Sequence, residues 1–331
     1  MKVSFFVGID TSNYTTSVAV AKSSSEGVSV IANLKKPLDV AEGQRGLRQS
    51  DAVFEHTRNL PELLEKAGEI ISGSAPAAVG YSFAPRDADG SYMPCFLPGK
   101  AAAYAMASGC GAGLYAFSHQ AGHIRAALHS SGMDPAPGER FIAFHLSGGT
   151  TEVLSVVRSG GGFQIDRLGG TLDISCGQAV DRIGVMLGMR FPAGAEMEKE
   201  ALGSGGSLKD RPPVRVKGAD CNLSGLENMA RKMKEDGMDR GYISAFTIDF
   251  IGRTVEKMTD YARKRFPDAN IVYSGGVMSN SLIKERLRSN KSFFAEPEYS
   301  SDNAAGTALL AAGAWFADGN EERARREGHQ L

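Results

Sequence analysis

Residues Val3 to Ile9 form a short apolar run, followed by the polar Asp10-Thr11-Ser12-Asn13-Tyr14 and then by Thr16-Ser17-Val18-Ala19-Val20. This pattern predicts strand, polar turn, strand. It recurs mid-chain, where Phe141-Ile142-Ala143-Phe144-His145-Leu146 leads through Ser147-Gly148-Gly149-Thr150 into Thr151-Glu152-Val153-Leu154-Ser155-Val156. Thr15-Thr16-Ser17-Val18 and Thr150-Thr151-Glu152-Val153 share letters, so an internal repeat is expected: two similar lobes, each opening with a hairpin whose turn faces a common cleft.

Between the hairpins, Val53, Leu60, Leu63, Leu64, Ala67, Ile70 and Ile71 recur at helical spacing. Strands are predicted at Ala77 to Ser82 and Leu114 to Phe117, with a helix over about Gly99 to Ser108 and another beginning near His119. After the second hairpin, helices are predicted at Ser175 to Leu187, Leu226 to Lys234 and Ile243 to Arg265. A strand at Asn270 to Tyr273 and a closing helix from Asp302 to Phe316 follow. Alternation on this scale means α/β layers. The glycine-rich stretches at 160–162 and 203–207 are expected as surface loops.

Composition sharpens this picture. A chain of 331 residues is expected to form about two domains. Hydrophobic residues at 42% and charged residues at 23% exclude disordered and fibrous classes. Lys plus Arg is 37 and Asp plus Glu is 38, a net charge of -1, so no overall field draws in nucleic acid. RNA contact must come from local clusters such as Arg263-Lys264-Arg265 and Arg286-Leu287-Arg288. The four cysteines lack C-x-x-C pairs, which argues against a disulfide framework or cysteine zinc site and for a reducing cytoplasm. No apolar run approaches about 18 residues and Met1 to Val7 is too short for a signal peptide, so a soluble protein is expected.

Three glycine-rich turns each follow an apolar strand: Gly8-Ile9-Asp10-Thr11-Ser12, Leu146-Ser147-Gly148-Gly149-Thr150 and Tyr273-Ser274-Gly275-Gly276-Val277. Backbone N–H groups in such turns, with hydroxyls beside them, form donor arrays that suit phosphate oxygens. Neither G-x-x-x-x-G-K-[ST] nor G-x-G-x-x-G is present, so the P-loop and dinucleotide readings fail. A nucleotide held between two lobes is the remaining expectation.

His119-Gln120-Ala121-Gly122-His123 places two imidazoles on one face of a helix, within reach of one metal ion. Gln120 follows His119 where H-E-x-x-H requires Glu, so peptidase chemistry lacks its base. Asp302 is a candidate third ligand and also a candidate helix N-cap. Two histidines and a carboxylate suit Fe(II) or Zn(II) better than Mg(II).

These residues occur in the order that resembles the universal tRNA threonylcarbamoyladenosine synthase family (TsaD, formerly Gcp, once misnamed O-sialoglycoprotein endopeptidase). The matching motifs are Asp10-Thr11-Ser12; the His119/His123 pair; Ser147 to Thr150; Gly170-Thr171-Leu172-Asp173 with Gly177-Gln178-Ala179-Val180-Asp181; Leu223-Ser224-Gly225-Leu226; Gly275-Gly276-Val277 with Asn280; and Asp302-Asn303-Ala304-Ala305. The likeness runs from near residue 3 to near residue 316. It implies a two-lobed, actin-like (ASKHA) ATPase-type fold with duplicated ribonuclease-H-like lobes. Residues 1–135 would form the first lobe, completed by the helix within 302–331, and residues 136–301 the second. It implies a divalent metal on His119, His123 and Asp302. It also implies ATP or threonylcarbamoyl-adenylate contacts by Ser12, Ser147, Gly148, Gly149, Thr150, Asp173, Gly177, Asp181, Gly276 and Asn280. The implied activity moves a threonylcarbamoyl group from an adenylate to N6 of the adenosine just 3′ of the anticodon, in tRNAs that read codons beginning with A. Weak tRNA binding unless partner proteins of the same machinery assist completes the expectation.

The chain departs from the family pattern at several positions. The first hairpin, usually S-C-D-E-T, reads Ser12-Asn13-Tyr14-Thr15-Thr16, which replaces both acids and leaves Tyr14 and Thr15 as the candidates for a catalytic role. H-x-E-G-H has become His119-Gln120-Ala121-Gly122-His123, and the lysine after S-G-L is Glu227. Fewer carboxylates near the transferred group mean fewer bases to take its proton, so ligand binding is expected to survive better than transfer. Two alternatives stay open. One is a catalytically impaired nucleotide- and metal-binding paralog, acting as a scaffold or on a different acceptor. The other is a small-molecule kinase of the same fold, against which Tyr14, Thr15 and the histidine pair count.

Overall fold

Apolar β-branched runs with both faces covered build the sheets. A computed structural model of the chain, describing residues 3–12, 14–39, 47–205, 208, 211–300 and 304–319, contains two five-stranded mixed sheets. In the first, β1 (Phe5–Ser12), β2 (Thr15–Ser24) and β3 (Gly27–Pro37) form an antiparallel meander. After α1 (Gln49–Ile70), β4 (Ala78–Ala84) pairs parallel to β1; after α2 (Leu97–Cys110), β5 (Gly113–Ser118) pairs parallel to β4. The order is β3-β2-β1-β4-β5. Helix α3 (His119–Ser131) leads to the second sheet.

There β6 (Arg140–Leu146), β7 (Thr151–Ser159) and β8 (Gly162–Gly170) repeat the meander. An insertion follows: α4 (Cys176–Met186), α5 (Gly194–Gly203), the small ribbon β9 (Val216–Lys217) and β10 (Asp220–Cys221), α6 (Ser224–Glu235) and the long α7 (Arg240–Arg265). Then β11 (Asn270–Ser274), α8 (Ser281–Leu287) and β12 (Ser292–Phe294) complete the order β12-β11-β6-β7-β8, and α9 (Ala305–Ala317) closes the described chain. Both sheets share strand order and strand directions, so the repeated hairpin belongs to a repeated lobe.

The sheets differ in what covers them. Val7, Ile9, Val18 and Val20 pack on Leu60, Leu63 and Ala103 of α1 and α2. The opposite face, Phe6, Ala19, Ala21 and Ala78, packs on the alanine-rich α9. Small residues let the backbones approach: a Cβ on Gly8 would lie 2.4 Å from the Ala308 nitrogen. On the second sheet, Ile142, Phe144, Ile271 and Tyr273 meet Phe246, Ile251, Val255 and Met258 of α7. Its other face, Phe141, Ala143, Leu154 and Val272, meets Ile124, Ala127 and Leu128 of α3. Burying each large side chain contributes about 1.5–3 kcal/mol. Helices α3 and α9 therefore lie side by side between the two sheets.

Several local expectations shift. Of the polar residues 10–14, expected as a turn, 10–12 are strand: β1 continues to Ser12 because Asp10, paired in register with Ser17, finds side-chain partners inside the protein. Strands β3, β8, β9, β10 and β12 and helices α5 and α8 have no counterpart among the predicted elements: β9, β10 and β12 have three residues or fewer, whereas Val28, Val30, Ala32 and Leu34 of β3 do alternate as a half-buried strand should. Helix α9 starts at Ala305 with Ala304 as N-cap, and Asp302 lies outside the described residues. Gly160 and Gly161 form the β7–β8 hairpin turn and Gly162 opens β8; Gly203, expected in a loop, ends α5, and 206–207 lie outside the described residues. Cys95, Cys110, Cys176 and Cys221 are all free. Among the described residues no helix is long and apolar enough to cross a membrane.

Candidate active-site cleft

The strand-end turns of both lobes open on one cleft of about 560 Å³. Ser12, Tyr14 and Thr15 line it from the first hairpin, Ser147, Gly148, Gly149 and Thr150 from the second, and His119 and His123 from α3. The Ser118 hydroxyl accepts from the Ala121 N–H at 3.2 Å and so fixes the start of α3 at His119. Residues four apart then share a face. Nε2 of His119 and Nε2 of His123 stand 2.9 Å apart.

Behind the pair sits Asp10, fully buried. Its Oδ1 lies 3.0 Å from His119 Nδ1, and its Oδ2 accepts from the Ser12 hydroxyl at 2.7 Å. Burial opposes ionisation of Asp10, but the charge and hydrogen bond of His119, with the Ser12 hydroxyl, outweigh it and hold the carboxyl below its ordinary 3.8. A carboxylate on the far nitrogen of an imidazole fixes the ring's tautomer and orientation and raises its basicity.

The residues present fit a divalent metal, since two imidazole nitrogens converge on the cleft and one ring is backed by a buried carboxylate. No cluster of three His, Cys, Asp or Glu side chains suited to a metal occurs among the described residues. The third imidazole nearby, His145 on β6, has its ring centroid 4.7 Å from that of His123 and its Nδ1 3.1 Å from the Ser274 hydroxyl.

The second hairpin turn is closed by Ser147 N–H to Thr150 carbonyl at 2.8 Å and by Thr150 N–H to the Ser147 hydroxyl at 3.1 Å. The N–H groups of Gly148 and Gly149 have no partner among the described residues. A Cβ on either glycine would meet nothing within 4 Å, so this rim is open to an incoming group. Gly177, in the first turn of α4, is the opposite case: its N–H donates to the Ser147 carbonyl at 3.2 Å, and a Cβ there would lie 2.5 Å from that oxygen.

Four of the remaining expected ligand contacts lie off this cleft, as does Gly177. Asp173 accepts from the N–H groups of Leu223 and Ser224 at 2.8 and 3.0 Å, which caps α6. Burial raises its pKa, but these donors prevail and hold it well below 3.8. Asp181 accepts from the Ala193 N–H at 2.8 Å and is raised by burial. Asn280 caps α8 through the Ile283 N–H at 3.1 Å, and Gly276 borders open space.

Sequence pattern marks Asp10 only as part of the Asp10-Thr11-Ser12 motif, with no role of its own, and does not mark His145, Arg86 or Glu152. Glu152, on β7, is the one carboxylate among the described residues that line the cleft, and it is buried. Arg86 donates to its Oε1 and Gln120 to its Oε2, the latter at 3.1 Å. Arg86 and Gln120 come from the β4–α2 connection and from α3, so this clasp bridges the cleft. The local signal was present: Glu152 pairs in register with His145, so both point to one side of the sheet.

A sequence profile of the family TsaD: tRNA N6-adenosine threonylcarbamoyltransferase matches residues 30–309. A tRNA N6-adenosine threonylcarbamoyltransferase of Thermus thermophilus is 28% identical over 317 residues, 94% of this chain and 92% of that protein. The protein of the same name from Methanopyrus kandleri is 26% identical, over 90% of this chain and 84% of its own length. Among solved structures, HypF from T. kodakarensis superposes with a TM-score of 0.59 at 14% identity, over 96% of this chain and 48% of HypF, so the chain spans about half of that protein. Component A of Acidaminococcus fermentans (R)-2-hydroxyglutaryl-CoA dehydratase superposes with a TM-score of 0.53 at 14% identity, over 95% and 99%. These superpositions and the duplicated strand order show the two-lobed ASKHA fold. The family profile covers most of the chain: the protein belongs to the TsaD family of tRNA N6-adenosine threonylcarbamoyltransferases.

Proposed function

We propose that the protein binds a threonylcarbamoyl-adenylate or ATP between its lobes and transfers the threonylcarbamoyl group to N6 of an adenosine in tRNA, in the cytoplasm. The division into lobes at residues 135/136, with α9 joined to the first, belongs to the same reading. One observation carries it: the open Gly148–Gly149 donor turn and the carboxylate-backed histidine pair face each other across a single cleft.

In this reading the N–H groups of Gly148 and Gly149 hold phosphate oxygens, with Ser147 and Thr150 shaping the turn. Ser12 serves by fixing Asp10, and Asp10 holds His119 in one orientation. His119 and His123, with Asp302 as third ligand, would hold one divalent ion, iron or zinc rather than magnesium, which polarises an acyl or phosphate oxygen when bound. Asp173, Gly177, Asp181, Gly276 and Asn280 support the ligand from the α4, α6 and α8 side. Tyr14 and Thr15 offer hydroxyls where the family carries acids.

A second reading is favoured by the state of the carboxylates. Glu152, already engaged by Arg86 and Gln120, is poorly placed to take the proton from an attacking amine. The chain would then be an impaired paralog that binds nucleotide and metal as a scaffold or serves another acceptor. tRNA affinity of the protein alone should be weak in either case. Arg263 is engaged by Ser289, Arg286 by Asp249 and Glu256, and Arg288 by Glu285, which leaves partner proteins to supply basic surface.

The test is threonylcarbamoyl transfer to tRNA by the purified protein, with and without helper proteins, beside the double change Tyr14→Asp, Thr15→Glu. Nucleotide binding with weak transfer that rises in the double variant supports the proposal. Strong transfer with no gain shows that the hairpin acids are dispensable, and absence of nucleotide binding overturns both readings.

A further inference from the structure

Helix α3 turns His119, His123 and Ala127 toward the cleft. Arg125 and His129, about half a turn away, face a separate concavity of about 490 Å³. Its walls come from both sheets: the β2–β3 turn, α9, and the β7–β8 hairpin. That hairpin abuts α9 directly, since a Cβ on Gly161 would stand 2.5 Å from the Ala314 Cα. The concavity is thus built by packing between the lobes.

Arg125 is half-buried there, yet no hydrogen bond or ion pair joins it to any described residue. The carboxylate whose field reaches it, Asp134, is 2.9 Å from Arg158, which also donates to the Pro135 carbonyl at 2.6 Å. Glu26, the other acid on the rim, is exposed. Burial, followed by the Arg125 charge, lowers the pKa of His129. A guanidinium partly withdrawn from water and left without a protein partner keeps its hydrogen-bonding capacity for an incoming anion. Around it Leu128, Met133, Leu309 and Leu310 form an apolar floor, with Phe163 and Phe316 above.

We infer that this concavity binds a small organic anion, whose carboxylate or phosphate pairs with the Arg125 guanidinium and whose apolar body lies on Leu128, Met133, Phe163 and Phe316. The planar fork of arginine suits either oxyanion, and the apolar floor favours a ligand with a hydrocarbon part over a bare ion.

Calorimetry on the full chain with octanoate, octyl phosphate and the neutral octanol tests this. One site is expected for at least one anion, bound about tenfold or more tightly than octanol, as a charge-assisted hydrogen bond implies. The anion that binds identifies carboxylate or phosphate as the head group. Arg125→Met should lose at least that factor, keep its ATP affinity and melt close to wild type, because it removes a half-buried charge that has no protein partner among the described residues. Arg125→Lys should fall between the two, a point charge replacing a fork. Absence of binding by both anions, equal anion affinity in Arg125→Met, or, should that variant fail to fold, full affinity in Arg125→Lys would overturn the inference.

Discussion

His56 lies fully buried on α1, with Nδ1 2.9 Å from the Thr16 hydroxyl and Nε2 without a partner among the described residues. Burial lowers its pKa from the ordinary 6.5 to about 4, against the opposing field of Asp10. The folded protein therefore holds this proton less readily than the unfolded chain. Between about pH 6.5 and pH 4 the unfolded state carries more protons, so stability rises with pH across that window. The contribution is complete above about 6.5 and is lost as pH falls toward 4. At about 1.4 kcal/mol per pH unit the whole window amounts to about 3.4 kcal/mol, of which about 2 kcal/mol is lost between about pH 7 and pH 5. Water reaching the charged ring makes this an upper figure. The sole tryptophan, Trp315, reports on the right lobe, because its ring lies 5.7 Å from that of Phe6 on β1. Urea unfolding followed by tryptophan fluorescence near pH 7 and near pH 5 should show wild type losing about 2 kcal/mol more than His56→Gln. His129, whose pKa is also lowered, affects both proteins alike and cancels. Equal losses in the two proteins would refute the assignment of this pH dependence to His56.

Asp10→Asn should weaken metal retention about tenfold or more, read by elemental analysis after dialysis, because the carboxylate that orients His119 is gone; unchanged retention would remove Asp10 from the site. Gly148→Val should leave stability within about 0.5 kcal/mol of wild type and lower nucleotide affinity, since its Cβ enters open space needed only by a ligand. Gly177→Ala should cost about 1–3 kcal/mol in a denaturant melt by pushing on the Ser147 carbonyl. The reverse ordering of the two stabilities would show that the turn is built differently. A double-mutant cycle on Arg86→Gln and Glu152→Gln should give a coupling of about 1 kcal/mol, given that Arg86 is half exposed; zero coupling would mean the clasp does not hold the lobes.

Much of the candidate site was legible because it rests on local rules. The His119–His123 spacing needs only a helix, and that helix starts where the Ser118 cap places it. The two hairpins needed only apolar runs broken by polar or glycine-rich turns, and their duplication in sequence became duplication of the strand order. Asp173 and Asn280 were legible as residues of interest, yet both cap helices, a role that depends on where α6 and α8 begin.

What the sequence by itself determined were the elements whose causes lie within a few residues: hairpins, amphipathic helices, the small-residue character of α9, and the order of motifs that marks the family. The tertiary structure decided the partners. Asp10 and His119 are 109 positions apart, Arg86 and Glu152 are 66 apart, and His145 meets Ser274 across 129. No periodicity encodes such pairs, because they arise only when β1 and β6 bring their ends to opposite sides of one cleft and α3 runs between the sheets. The unpaired Arg125 has the same origin. A basic residue on a helix reads as a solvated face until α9 and the β7–β8 hairpin close over it, and the energy of a charge depends on that surrounding medium rather than on its neighbours in sequence.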